Sequence, residues 1–155
     1  MSATIVAEGS IRIRYPLAHV FAFITTPEND PSWVHSSAWI SRTSEGPVRV
    51  GSTLAERVRV FGLRVTYIWE VTAFEANRLL TYTSRRGLLP MTIEMAVTPD
   101  GAVTEMRQRL AFALPSMFRF AAAITKAIAS REVRLSLTNL KRVLESRTPV
   151  PEHAA

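Results

Sequence analysis

Residues Thr4–Arg14 alternate between apolar and polar side chains and are rich in β-branched types, which predicts a strand. Pro16 then suits the first turn of a helix. In PLAHVFAFITTP, Val20, Phe21 and Ile24 share one helical face, and Pro27 ends it. Pro31 starts a second short helical turn through Trp33. Trp39–Ser44 predicts another strand, and SEGPVRVGS a turn region rich in Gly and Pro.

From Ser52 onward the period is mostly two. TLAERVRVF and RVTYIWEVTAF flank a GL turn, and RLLTYTSRR and MTIEMAVTP flank GLLP. Asp100-Gly101 is a strong hairpin signal before VTEMRQRLAF. Pro115 and Ser116 open a long helix predicted to run to Glu145. Its second half carries a Leu137, Leu140, Leu144 stripe suited to packing on a sheet. Its first half carries Phe118, Ala121, Ala122, Thr125 and Ala129, mostly small residues. They mark either close helix–sheet packing or the wall of a cavity.

One strand, two short helices, an antiparallel series and one long helix make an α+β chain. A sheet long enough to curl cannot be filled by a single helix laid across its concave face. A pocket commonly remains there, and apolar pockets of that kind bind ligands.

Alternation also assigns faces. Val65, Tyr67, Trp69 and Val71 are taken as inward, with Leu54, Glu56 and Val58 from the strand before. Leu80, Tyr82 and Ser84 follow, then Met91, Ile93, Met95 and Val97, then Thr104, Met106, Gln108, Leu110 and Phe112. The inward methionines suit an adaptable apolar surface, and tyrosine can bury a ring while presenting a hydroxyl. Glu56 has two readings. In a dry pocket its pKa rises and it becomes an acid or base; at the sheet rim it pairs with an arginine. Gln108 either orients a ligand or bonds Tyr67 or Tyr82.

Composition narrows the chemistry. The chain has 155 residues, is 47% hydrophobic and 21% charged, and fits one domain at 1–148 with a flexible tail at 149–155. It has no cysteine, which removes disulfides and thiolate metal sites and fits a reducing cytoplasm. No secretory signal or membrane-spanning run is visible. His19, His35 and His153 lack paired spacing, so no metal site is expected, and no dinucleotide or phosphate-binding fingerprint implies a cofactor. The net charge is +6, but no run of five or more basic residues occurs, so the arginines read as a solvated surface rather than a nucleic-acid footprint.

Five stretches, YPLAHVFAFITTPENDPSWV, GPVRVGSTL, YIWEVTAFEANRLLTYTS, VTPDGAVTEMRQRL and LTNLKRVLES, occur in this order over Ile11 to Glu145. In this they resemble the START-like superfamily (SRPBCC), in its bacterial polyketide cyclase/dehydrase and lipid-transport branch. The resemblance implies a helix-grip fold: a curved seven-stranded antiparallel sheet around a long C-terminal helix, with two short helices after the first strand and a deep cavity between. It carries no universal catalytic motif.

Three functions are open at this point. The first is binding or carriage of a hydrophobic small molecule (lipid, polyketide or aromatic). The second is a cyclase/dehydratase-type enzyme using Glu56, Tyr67, Tyr82 or His35 as acid–base groups. The third is an interaction module with a vestigial pocket. The expected ligand-contacting set is Trp33, His35, Leu54, Glu56, Tyr67, Trp69, Tyr82, Ser84, Met91, Ile93, Met95, Met106, Gln108, Phe118, Ala122, Thr125 and Ala129. Trp33 matches the family's recurring tryptophan at the cavity mouth, as a gate or a core plug. His35 reads as a rim contact, Trp39 as packing, and Glu28–Asp30 as helix-start charges. A basic rim suits weak contact with an anionic membrane, and a homodimer is open on base rates alone.

Overall fold

The structure, a computed structural model, describes residues 2–60 and 62–147. The expected tail at 149–155, with His153, lies outside the described residues. Strand β1 (Ser2–Ile13) leads to helix α1 (Leu17–Ile24), a 3₁₀ turn (Pro27–Asn29) and the single-turn helix α2 (Asp30–Trp33). Six more strands follow: β2 (Ser37–Arg42), β3 (Thr53–Val60), β4 (Leu63–Glu75), β5 (Leu79–Arg86), β6 (Met91–Asp100) and β7 (Val103–Pro115). They form one curved antiparallel sheet in the order β1-β7-β6-β5-β4-β3-β2. A second 3₁₀ segment (Ser116–Ala121) runs into helix α3 (Ala122–Glu145).

The hairpins form where the sequence places turn residues. Gly101, at φ +61°, supplies the left-handed position between β6 and β7 that other residues rarely adopt. Register shifts in β4 at Ile68/Trp69 and Val71/Ala73 mark bulges, which bend a strand and raise its twist. Gly9 lets β1 approach α3: a Cβ there would meet Val133 Cγ1 at 3.2 Å and Leu137 Cδ1 at 3.4 Å.

The core fills one end of the sheet. Val133, Leu137, Leu140 and Leu144 of α3 are buried, with Ile13, Val20, Ile24, Val97 and Met106. Glu145 ties the end of α3 to the end of β1, accepting from Arg14 N–H at 2.9 Å and Lys141 Nζ at 2.8 Å. These contacts hold its pKa down to about 2. With α3 anchored at its C-terminal half, its first half stands over the open part of the sheet.

The long helix does not begin at Ser116. Residues 116–121 are 3₁₀, in which each position advances about 120° rather than about 100°. Side chains placed by α-helical spacing from Ser116 are therefore rotated off their expected face. Phe118 stands half-exposed instead of facing inward.

Candidate functional site

Between the sheet and the first half of α3 lies a cavity of about 300 Å³. Alternation along the strands delivers Leu54, Glu56, Tyr67, Trp69, Tyr82, Met91, Ile93, Met95 and Gln108 to it. Trp33 and His35 border it from α2 and the residues just after it, and Thr125 and Ala129 from α3. The remaining expected residues lie elsewhere. Ser84 closes the end of β5, its hydroxyl accepting the Met91 N–H at 2.8 Å. Met106 is fully buried in the core, paired with Ile11 and Val97. Ala122 packs partly buried against the core rather than lining the cavity, and Phe118 lies on the 3₁₀ segment.

Most of the lining is apolar, and its aromatic part is ordered. The Tyr67 and Trp69 rings stack at 4.9 Å with 11° between planes, and Tyr82 tilts against Trp69 at 6.5 Å. The Tyr67 hydroxyl sits against the backbone of Leu89, its carbonyl at 3.4 Å and its N–H at 3.3 Å. Neither this hydroxyl nor that of Tyr82 bonds Gln108, whose Oε1 is buried without a partner.

The polar part clusters. Glu56 is buried, and its partner is an indole rather than an arginine: Trp69 Nε1–H donates to Oε2 at 2.7 Å. Burial pushes its carboxyl up, against the Ser37 hydroxyl and the Trp69 bond. Asp30 does stand in the first turn of α2, as the sequence indicates, but it is not solvated. It is buried on the cavity side of α2, and Oδ1 has no hydrogen-bond partner. Desolvation, with the Glu56 charge behind it, raises its pKa well above the ordinary carboxylate range. The Trp33 indole N–H partly offsets this rise, yet makes no hydrogen bond of normal length and angle. Burial, then Asp30 and Glu56, drive the Tyr82 phenol well up, and its hydroxyl is also unpartnered. Two acids and a phenol are thus held toward their neutral, proton-carrying forms inside an otherwise apolar cavity.

Glu28 lies outside this cluster and makes a two-point pair with Arg42, at 2.7 and 3.1 Å. Trp33 is completely buried, so it forms wall in this conformation. Trp39 points outward, half-exposed, with the Arg57 guanidinium 5.2 Å over its ring.

His35 sits at the mouth and is tethered to α3. Its Nδ1 lies 2.8 Å from Glu132 Oε2, and its backbone N–H donates to Ser136 Oγ at 2.9 Å. The Ser36 N–H donates to Glu132 Oε1 at 2.7 Å. Exposed Arg59, Leu88, Ile128 and Arg131 line the cavity where it meets solvent.

Sequence reasoning missed Asp30, Glu132 and Ser136, although signals for them exist. Asp30 lies three residues before Trp33, on the same side of one helical turn. Extending the Thr125–Ala129 face by the helical period reaches Glu132 and Ser136.

Comparison with known proteins agrees with this architecture. The sequence profile described as polyketide cyclase / dehydrase and lipid transport matches residues 4–145. No curated protein matches the chain. Among solved structures, a START superfamily protein from Mycobacterium smegmatis superposes with a TM-score of 0.80 at 14% identity, covering 93% of this chain and 99% of that one. The Zhui aromatase/cyclase from Streptomyces sp. R1128 gives 0.80 at 14% identity, covering 94% and 96%. At such identities the likeness shows the fold.

Proposed function

Because the chain belongs to the polyketide cyclase/dehydrase and lipid transport family, we propose that its cavity binds a hydrophobic small molecule carrying one neutral polar group. The carrying observation is the pairing of an apolar wall with unpartnered buried atoms at Asp30, Tyr82 and Gln108. Buried polar groups left unsatisfied cost about 1–3 kcal/mol each, so a ligand group that bonds one of them offsets part of that cost. The apolar walls and the Tyr67–Trp69 stack suit an aromatic or polyene body.

Size and charge restrict the ligand further. About 300 Å³ lies at the small end of ligand sites. It suits a fused-ring or single-chain compound better than a two-chained phospholipid. The apolar walls disfavour an anionic group at the inner end, since a carboxylate there would lose its hydration. A ketone or hydroxyl fits, accepting from a neutral carboxylic acid or from Tyr82.

A second reading is supported by the same acids. A carboxyl whose pKa is raised by burial holds its proton to higher pH than a solvated one, and can donate it to a ligand carbonyl or to a departing hydroxyl. That is the acid step of a cyclisation or dehydration, with Asp30 and Glu56 as the acids and the cavity holding a flexible substrate folded.

Native mass spectrometry of gently purified protein, with displacement of an apolar fluorescent dye, tests the binding reading. Neutral aromatic ketones should displace the dye more strongly than carboxylates of the same skeleton. The absence of any displacement across aromatic, polyketone and single-chain lipid probes would overturn it. Turnover of a polyketone probe, lost in both Asp30→Asn and Glu56→Gln, would favour the enzyme reading over simple carriage.

A further inference from the structure

Beside the cavity mouth the described surface carries a run of apolar side chains that nothing covers. Phe120 is 87% exposed, Met117 72% and Ile124 64%, and Ile128 is also exposed. These four fall at spacings of three, four and four, one stripe along the 3₁₀ segment and the start of α3. The 3₁₀ segment buries no residue. Single exposed apolar side chains are ordinary; a contiguous stripe beside a ligand cavity marks an interaction surface.

The exposed charges along the stripe are basic, and the acid that follows them, Glu132, is engaged by His35 and the Ser36 N–H. Arg119, Lys126 and Arg131 are exposed, and among the described residues none has an acidic partner within 4.0 Å. From Arg107 to Arg131 the chain contains no acidic residue. The stripe also runs into the site: Ile128 and Arg131 line the cavity, as does exposed Leu88 from the β5–β6 turn.

We propose that this face docks on an anionic lipid surface, with Met117, Phe120 and Ile124 in the interface and Arg119, Lys126 and Arg131 against the headgroups. An apolar stripe edged by basic residues is the pattern of a segment that lies in the interfacial plane. It does not insert further, because no described helix is long and apolar enough to cross a membrane. A second copy of the chain fits less well. Two-fold pairing through this face would set its basic residues against their own copies, with no acidic residue in the stretch to oppose them. Docked in this way, the cavity mouth lies at the membrane surface, where apolar ligands partition.

The test is co-sedimentation with vesicles of phosphatidylcholine alone and of phosphatidylcholine and phosphatidylglycerol in equal parts. The protein should bind the mixed vesicles, bind phosphatidylcholine weakly, and release as salt rises. Phe120→Ser with Ile124→Ser should weaken binding to mixed vesicles by about tenfold or more. Arg119→Glu with Lys126→Glu should abolish the preference for anionic lipid. Neither pair lines the cavity, so unchanged circular dichroism and dye binding would separate a docking defect from loss of the fold or of the ligand site. Undiminished binding by both pairs, no binding by the unaltered protein, or binding indifferent to phosphatidylglycerol and salt would overturn the proposal. So would a dimer in sedimentation velocity that the Phe120→Ser, Ile124→Ser pair disperses, which would give this face to a second copy.

Discussion

Trp69 donates its indole N–H to the Glu56 carboxylate over 2.7 Å, diagonally across the β3–β4 hairpin. Glu56 stands opposite Tyr67, and Leu54 opposite Trp69, so the register brings the acid and the indole onto one inward face. The same ring stacks on Tyr67 and is approached by Tyr82. One residue therefore organises both the aromatic wall and the acid beside it.

Trp69→Phe should separate these roles. The aromatic surface is largely kept, while Glu56 loses a donor that favours its charged form. Its pKa should rise further, read by carbon-13 NMR titration of the carboxyl. Stability should fall by about 1–3 kcal/mol in urea unfolding. An unmoved Glu56 titration would mean the hydrogen bond contributes nothing to its protonation.

The pH dependence of stability has a definite sign. Asp30 and Glu56 have folded pKa values above their ordinary 3.8 and 4.5. Their contribution is fully present below those ordinary values and is lost as pH rises through the folded ones. Asp30→Asn or Glu56→Gln should therefore gain in melting temperature relative to the parent chain as pH climbs above those ordinary values. Glu145 acts in the opposite window. Its pKa of about 2 gives stability that is present above 4.5 and lost as pH falls toward 2. Melting curves across the range check both signs, and a parent and Asp30→Asn that stay parallel would refute the Asp30 assignment.

Ala129 and Ala122 should respond differently to the same enlargement. Ala129 lines the cavity, so Ala129→Trp should fill it and abolish dye binding. Ala122 packs outside the lining, so Ala122→Trp should leave dye affinity within about twofold, while straining its own contacts. Circular dichroism confirms that each variant folds, and equal loss of binding in both would place the cavity wrongly.

Gly87 shapes the wall from outside. A methyl group there would collide with the Tyr67 ring. Gly87→Ala should push that ring off its stack with Trp69 and lower affinity for aromatic ligands. Loss should be largest for planar ligands and small for single-chain ones, measured by titration calorimetry.

Glu132 and Ser136 latch the residues after α2 onto α3, through His35 and Ser36. Glu132→Ala should speed both entry and release of ligand in stopped-flow fluorescence, with a smaller change in equilibrium affinity. Unaltered rates would mean that this edge does not move during exchange.

The architecture was legible because alternation survives strand by strand. A period of two over β3–β7, punctuated by turn residues, defines hairpins and inward faces with no knowledge of the third dimension. The site was less legible wherever position depends on a remote element. Asp30 reads locally as an ordinary helix-start acid. What makes it unusual is burial beside Glu56 and Tyr82, residues far along the chain. Phe118 failed for another reason: Pro115 and Ser116 signal the start of a helix but not which helical pitch follows, and pitch decides which way each side chain turns. Glu56 was open between an arginine partner and a dry pocket, because alternation gives a face but not a neighbour.

The pairing of β1 with β7 joins Ser2–Ile13 to Val103–Pro115, the first strand to the last. During synthesis β1 therefore emerges without its partner, and an apolar strand edge waits until nearly all the sheet has been made. Contacts this distant in sequence slow folding and leave the incomplete chain open to aggregation. The chamber is complete only with the last strand and the helix after it, since Gln108, Leu110 and Phe112 come from β7 and Thr125, Ala129 and Glu132 from α3.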